Sequence, residues 1–309
     1  MSDVGQAAAG RAGGPEFRAI RRWVNLVPTV GAGVRVGPGD DVAVVDVGGA
    51  LAVSTDTLVE GTHFTAAARP HDVGWKALAA ALSDLAASRS TPLGAVVSVT
   101  VRPDQMTAWA DAVMAGLGDC ARAYECPILG GDTTVTNGNA VIGVTVLGRG
   151  DSMLPRSGAA PGDILQISGE VGWAAAGLAG LGGERAHAAF HRPKPRLDLV
   201  DTLAAAHAAI DVSDGLLADA AHLADASNVT LVLDDAASES LMAAVGADRA
   251  RRFAHRGGED YEVLAAAPAL LPGFIAIGRV EAREDVDLRW SNGTPVPLND
   301  RGWVHGASP

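Results

Sequence analysis

Seven aspartates are the residues best equipped for chemistry in this chain: Asp40, Asp41, Asp56, Asp84, Asp132, Asp211 and Asp214. They sit at the ends of apolar runs or beside paired glycines, in segments that otherwise read as buried. The stretch Leu51–Phe64 shows the device in full. An apolar, β-prone opening (Leu51, Ala52, Val53) turns polar at Ser54, Thr55 and Asp56, and the stretch closes on His63 beside Phe64. A strand that ends in two hydroxyls and a carboxylate offers hard oxygen donors, which suit Mg²⁺ rather than zinc or copper. Ser-Thr-Asp after a strand is also ordinary turn or cap chemistry, so the argument rests on recurrence. A similar apolar run ends at Asp132 after Gly130 and Gly131, and another at Asp211 and Asp214 after Ala209 and Ile210. Gathered carboxylates push one another toward protonation, and divalent cations between them would relieve the repulsion. The alternative is seven unrelated caps and turns.

Other chemistries leave no comparable trace. The histidines lack His-Glu-x-x-His or any zinc spacing, and His63 is a candidate ligand contact only because it follows Asp56. There is no Gly-x-Ser-x-Gly nucleophile elbow and no P-loop. Cys120 and Cys126 show no local sign of activation and read as core residues. The helix expected at Leu216–Ala226 starts directly after Asp214, and its N–H groups and positive dipole end would favour a phosphate; Ser213 reads either as a contact there or simply as an N-cap. Asp84 reads either as a ligand or as a solvated helix carboxylate.

These residues need elements to hold them. Helical spacing predicts helices over Glu16–Val27, from Asp72 to about Arg89 (stripe Trp75, Leu78, Leu82, Leu85), and over Asp104–Tyr124. Strands are expected at Val42–Val45, Leu51–Val53, Ala95–Val101, the run before Asp132, and Val141–Leu147. Gly48 and Gly49 suggest a hairpin that would bring Asp40 and Asp41 to the same sheet end as Ser54–Asp56. Gly148–Asp163, rich in Gly, Pro and Ser, reads as a domain boundary. Beyond it come strands at Ile164–Ser168, Ala209–Asp211, Asn228–Asp234, Glu262–Ala267 and Phe274–Val280, and helices at Val171–Gly180 and Leu216–Ala226. This divides the chain into a loose tail (1–15), a domain at 16–150 and a second at 151–309.

Composition narrows the function classes. The chain has 309 residues and a formal net charge of −12, which argues against nucleic acid as a main partner but not against a small anion met through Mg²⁺. No apolar run spans a bilayer, the first fifteen residues lack the apolar core of a signal peptide, and two cysteines make no disulfide framework. A cytoplasmic protein is expected.

The motifs Gly39-Asp40-Asp41, Ser54–Phe64, Leu82–Ala87, Gly130–Thr134, Arg156-Ser157-Gly158 with Pro161-Gly162-Asp163, Ile210–Leu216 and Gly257–Glu262 resemble, in order and spacing, those of the thiamine-monophosphate kinase family. The resemblance runs from about Phe17 to the end, and Ser54–Phe64 is its most discriminating segment. It implies a fold shared with aminoimidazole ribonucleotide synthetase: an N-terminal α/β domain that pairs with its copy in a homodimer to form a β-barrel, and a C-terminal α+β domain. It implies transfer from ATP to thiamine monophosphate with several Mg²⁺. By position, Asp41, Ser54, Thr55, Asp56, Asp84, Asp132, Asp211 and Asp214 resemble the family's Mg²⁺ ligands. Tyr124, Gly131, Asp132, Arg156 and Ser213 resemble its nucleotide contacts, and His63, Glu259 and Trp303 its substrate contacts. Trp303 stands where relatives often have Tyr, Ala81 where they often have Asn, and Pro38 interrupts the usual Gly-Ile-Gly-Asp-Asp. Rival readings are a sister enzyme on the same fold, a non-catalytic thiamine-phosphate sensor and a Mg²⁺-dependent phosphohydrolase.

Overall fold

A computed structural model describes residues 15–38, 43–150, 152–297 and 302. The chain divides into two compact units, 1–81 with 92–149, and 82–91 with 150–309.

The first unit comprises α1 (Pro15–Val24), β1 (Val34–Val36), β2 (Val44–Val45), β3 (Ala50–Val59), most of α2 (Pro70–Ala87), β4 (Thr91–Val101), α3 (Ala108–Ala123), β5 (Ile128–Val135) and β6 (Val141–Gly150). Four strands form one sheet in the order β3-β6-β4-β5. β4 and β5 run parallel, with Ser98 opposite Asp132. Glu60 N–H, just past β3, donates to Ala140 O, just before β6, at 2.9 Å, so those two strands run in opposite directions. Strand alternation sorts the side chains. Val97, Val99 and Val101 of β4 and Ile142, Val144 and Val146 of β6 are buried, whereas Leu51, Val53, Val96 and Val135 remain exposed. One face of the sheet is thus core and the other is open.

The second unit takes the end of α2 from Leu82 and continues with β7 (Ile164–Ile167), α4 (Trp173–Leu178), α5 (Gly183–His191), β8 (Ala208–Asp211), α6 (Leu216–Ser227), β9 (Val229–Leu233), α7 (Glu239–Val245), α8 (Ala247–Arg256), β10 (Val263–Ala267), β11 (Ile275–Ala282) and β12 (Leu288–Trp290). Its sheet runs β12-β9-β11-β7-β10-β8 and is antiparallel except between β9 and β12. Both faces are covered. Ile210, Leu264 and Ala266 pack with Leu216 and Leu223 of α6 and with Phe253 of α8. Ala209, Val263, Ala265 and Ala267 pack on the other side with Ala87, Leu199 and Phe274.

Three local expectations change. β2 does not form a hairpin with β3. It pairs antiparallel with β1, Val34 opposite Val45, because Val34-Arg35-Val36 offers a second β-prone partner, reinforced by an Arg35–Asp46 ion pair at 2.6 Å. β3 does not end at Ser54–Asp56 but runs through to Val59, since β-branched Thr55 and Thr57 with Leu58 and Val59 continue the strand. β5 likewise runs through Asp132 to Val135. The helices at 183–191, 239–245 and 247–256 span nine, seven and ten residues, too short for a helical period to stand out in the sequence. No described helix is long and apolar enough to cross a membrane.

Candidate active site

In the second unit the site grows from the end of β8. Ala209 belongs to the core on the α2 side of the sheet. Asp211, two residues on, therefore faces the same way. There its Oδ2 accepts the Ser83 hydroxyl at 2.9 Å. Ser83 is fully buried and Asp211 is 5% exposed. This contact sets the Leu82-Ser83-Asp84 end of α2 beside β8, so Asp84 and Asp211 belong to one neighbourhood.

The turn that follows, Val212–Gly215, is held from two sides. From within, Asp219 of α6 points its carboxylate back, and Oδ2 accepts the N–H groups of Ser213, Asp214 and Gly215 at 3.0, 3.1 and 3.1 Å. Burial and the nearby Asp214 carboxylate push Asp219 up to about 7, against the pull of those three donors. The amides of 213–215 are thus engaged by the chain's own carboxylate, while the helix N–H groups expected to favour a phosphate begin at Leu216. From outside, Glu259 N–H donates to Ser213 O at 2.8 Å and Tyr261 N–H to Val212 O at 2.9 Å. Gly258 makes this approach possible, since a Cβ there would lie 2.4 Å from Ser213 O. Glu259 and Tyr261 both adopt left-handed backbone, φ 68° and 52°, a conformation that costs a non-glycine residue on the order of 1 kcal/mol or more.

The Gly257–Glu262 motif thus divides its work. Glu259 sits in the turn against Ser213. Asp260 accepts the N–H groups of Gly172 at 2.6 Å and Ala174 at 3.0 Å, capping α4, and burial of its carboxyl pushes it up to about 7. Glu262 accepts Ser168 Oγ at 2.5 Å and Arg196 Nη1 at 2.6 Å. Arg156 is exposed and lies near the other end of β8: its neighbour Pro155 accepts Ala209 N–H at 3.1 Å.

In the first unit, alternation along β3 separates three residues that are adjacent in sequence. Ser54 and Asp56 share the face of buried Leu58, whereas Thr55 lies on the exposed face, its hydroxyl 3.0 Å from that of Thr145. Asp132, opposite Ser98, is also exposed and accepts Thr134 Oγ1 at 3.3 Å. Gly131 and Asp132 border a cavity of about 320 Å³ whose walls include Trp23, Val27, Val99 and Met114. Tyr124 is not in that wall; its ring stands edge-on to Trp75, with centroids 6.1 Å apart. His63 accepts Val59 N–H on Nδ1 at 3.1 Å. In the neutral ring the proton then belongs on Nε2.

Asp40, Asp41 and Trp303 lie outside the described residues, as does the 1–14 part of the expected tail. Among the described residues, no three His, Cys, Asp or Glu side chains converge as a metal-holding group. The donors that do gather are hard oxygens, Ser83 with Asp211 in the second unit and Ser54 with Asp56 on one face of β3, and these fit Mg²⁺ chemically. Burial pushes the Cys126 thiol up to about 12, so it is an unreactive core residue. Ser83, Asp219 and Asp260 were not singled out from sequence. Ser83 and Asp260 lie inside recognised motifs, but Asp219 carries only the signal of an aspartate on the apolar side of a helix.

Residues 39–150 match the model of the AIR synthase related protein, N-terminal domain. Thiamine-monophosphate kinase of Escherichia coli (strain K12) is 35% identical over 322 residues, covering 95% of this chain and 99% of that protein. The crystal structure of thiamine-monophosphate kinase from Stenotrophomonas maltophilia K279a superposes with a TM-score of 0.78 at 33% identity, over 91% of this chain and 96% of the other. AaThiL complexed with AMPPCP and TMP superposes with a TM-score of 0.75 at 25% identity, over 94% and 98%. The fold is the AIR synthase-related α/β fold, and this chain belongs to the thiamine-monophosphate kinase family.

Proposed function

We propose that this protein transfers the γ-phosphoryl group of ATP to thiamine monophosphate, giving ADP and thiamine diphosphate. The observation that carries this is the near full-length likeness to the Escherichia coli kinase, joined by a similar fold solved with an ATP analogue and TMP. The acceptor is a phosphate oxygen, anionic at neutral pH, so transfer needs no general base. The obstacle is the mutual repulsion of two anions that must be brought into line.

The residues assigned to hold Mg²⁺ are Asp41, Ser54, Thr55, Asp56, Asp84, Asp132, Asp211 and Asp214. When bound, the ions would supply charge neutralisation between the two phosphates. The chain's own groups do the positioning. Ser83 orients Asp211 through its hydroxyl. Gly131, with Asp132, presents backbone at the rim of an apolar cavity suited to a flat base, and Arg156 and Ser213 complete the nucleotide contacts with Tyr124. His63, with Nδ1 engaged, offers an Nε2 proton to the substrate phosphate, and Glu259 and Trp303 complete the substrate side. In this division 16–150 is the Mg/ATP-binding and dimerisation domain and 151–309 the α+β domain.

We further propose a cytoplasmic homodimer in which the open sheet of the first unit pairs with its copy to close a β-barrel. Leu51, Val53, Val96 and Val135 are 45%, 59%, 38% and 53% exposed, an apolar face of the kind that a partner covers.

The decisive test is ADP release by the purified protein with ATP and Mg²⁺, with and without thiamine monophosphate. ADP and thiamine diphosphate appearing one for one, only with both substrates, supports the assignment. Phosphate release without an acceptor would replace kinase with phosphohydrolase, and tight binding without turnover would replace it with a sensor. Incubation with γ-labelled ATP alone should leave the protein unlabelled; a labelled aspartate would overturn direct transfer.

A further inference from the structure

Asp219 has no assigned part in the proposed reaction, yet it organises the turn that carries two of the proposed contacts. It is 2% exposed and lies in the first turn of α6. A single carboxylate oxygen receives three consecutive backbone amides, those of Ser213, Asp214 and Gly215. Consecutive amides converging on one point form a nest for an anion. Here the acceptor oxygen is supplied by the chain itself. Gly215 takes φ +119°, a backbone setting open to glycine, which lets the third amide turn to the same oxygen. The outer side of the turn is fastened as well, since Ser213 O receives Glu259 N–H. The side chains of Ser213 and Asp214 remain partly exposed. A hydroxyl and a carboxylate on a turn whose three amides are already engaged attract cations and repel anions.

We propose that Asp219 is a positioning residue that makes the β8–α6 turn a cation-facing surface, so that nucleotide phosphate is met there through a divalent ion on Asp214 and not through the backbone amides. This rests on the reading of Asp214 as a cation ligand. It assigns the Asp219 carboxyl oxygen a purpose beyond helix capping: it occupies the nest, excludes phosphate from it, and holds Asp214 in one orientation.

The test uses Mn²⁺ as the probe ion on the full chain, without nucleotide or thiamine phosphate, followed by calorimetry or electron paramagnetic resonance. Asp219→Asn keeps the size of the side chain and removes its charge. With the fold retained by circular dichroism, it should weaken one Mn²⁺ site about tenfold or more, the usual scale for losing a group that orients a ligand. In turnover it should lower kcat while leaving KM for thiamine monophosphate unchanged. Asp214→Asn, measured in parallel, separates the two readings. Weakened Mn²⁺ binding in Asp214→Asn with wild-type binding in Asp219→Asn overturns the positioning role. Unchanged binding in Asp214→Asn overturns the cation reading itself, and this proposal with it. A wild-type measurement keeps the test open should Asp219→Asn not fold. A non-hydrolysable ATP analogue with EDTA should leave the amide resonances of Ser213, Asp214 and Gly215 in place, and adding Mg²⁺ should shift them. Shifts in the metal-free sample would mean that phosphate reaches those amides, and would sink the idea.

Discussion

Ser83 and Asp211 lie 128 residues apart in the chain and share a buried hydrogen bond of 2.9 Å. One sits near the end of α2, the other at the last position of β8. The bond does two things at once: it satisfies a carboxylate that is 5% exposed, and it draws the Leu82-Ser83-Asp84 motif to the edge of the second sheet. Ser83→Ala should therefore destabilise the protein by about 1–3 kcal/mol, the cost of leaving a buried polar group with one partner fewer. Urea unfolding would read this as a lower midpoint with unchanged slope. A midpoint like the wild type's would mean that Asp211 is satisfied without Ser83.

Asp56→Asn should leave the fold intact and cost on the order of 10²-fold in turnover, the scale of losing one preorganised electrostatic element. Steady-state kinetics at saturating Mg²⁺ would test it. Full activity would remove Asp56 from the metal set.

Asp260 sets a pH dependence with a definite sign. Burial holds its pKa in the folded state at about 7, well above the ordinary aspartate range of about 4, so the folded state holds the proton more tightly than the unfolded chain. Its contribution is fully present below about pH 4, the ordinary aspartate range, and is lost as pH rises through about 7. Melting temperatures between pH 5 and 8 should show the wild type losing stability with rising pH more steeply than Asp260→Asn, whose side chain does not titrate. Parallel curves would show that the two amide donors of Gly172 and Ala174 already hold Asp260 ionised throughout.

Val53 is 59% exposed in the middle of β3, on the open face of the first sheet. Val53→Asp should convert the proposed dimer to monomer, read as a halved mass by light scattering after size exclusion. A wild-type mass would place the subunit interface elsewhere.

The motifs were legible in sequence because each is local. Ser54–Phe64, Gly130–Thr134, Ile210–Leu216 and Gly257–Glu262 keep their character whatever surrounds them, and their order along the chain carried the family. Most strands and long helices were legible too, since a period of two or 3.6 residues survives without tertiary context. The pairing of β2 was not, because a short valine run accepts any nearby partner and only the fold selects β1. The ends of β3 and β5 are hidden in the sequence for a related reason: a carboxylate reads as a stop, yet it is tolerated mid-strand when its face is partly solvated. That same alternation decides that Thr55 lies on the opposite face from Ser54 and Asp56, which adjacency in sequence conceals. Asp219 is the sharpest case. The sequence by itself determined the family, the donor types and the local motifs, whereas only the tertiary structure decided which donors meet: an aspartate on the inner side of α6 becomes the anchor of three amides because the β8–α6 turn folds back onto it.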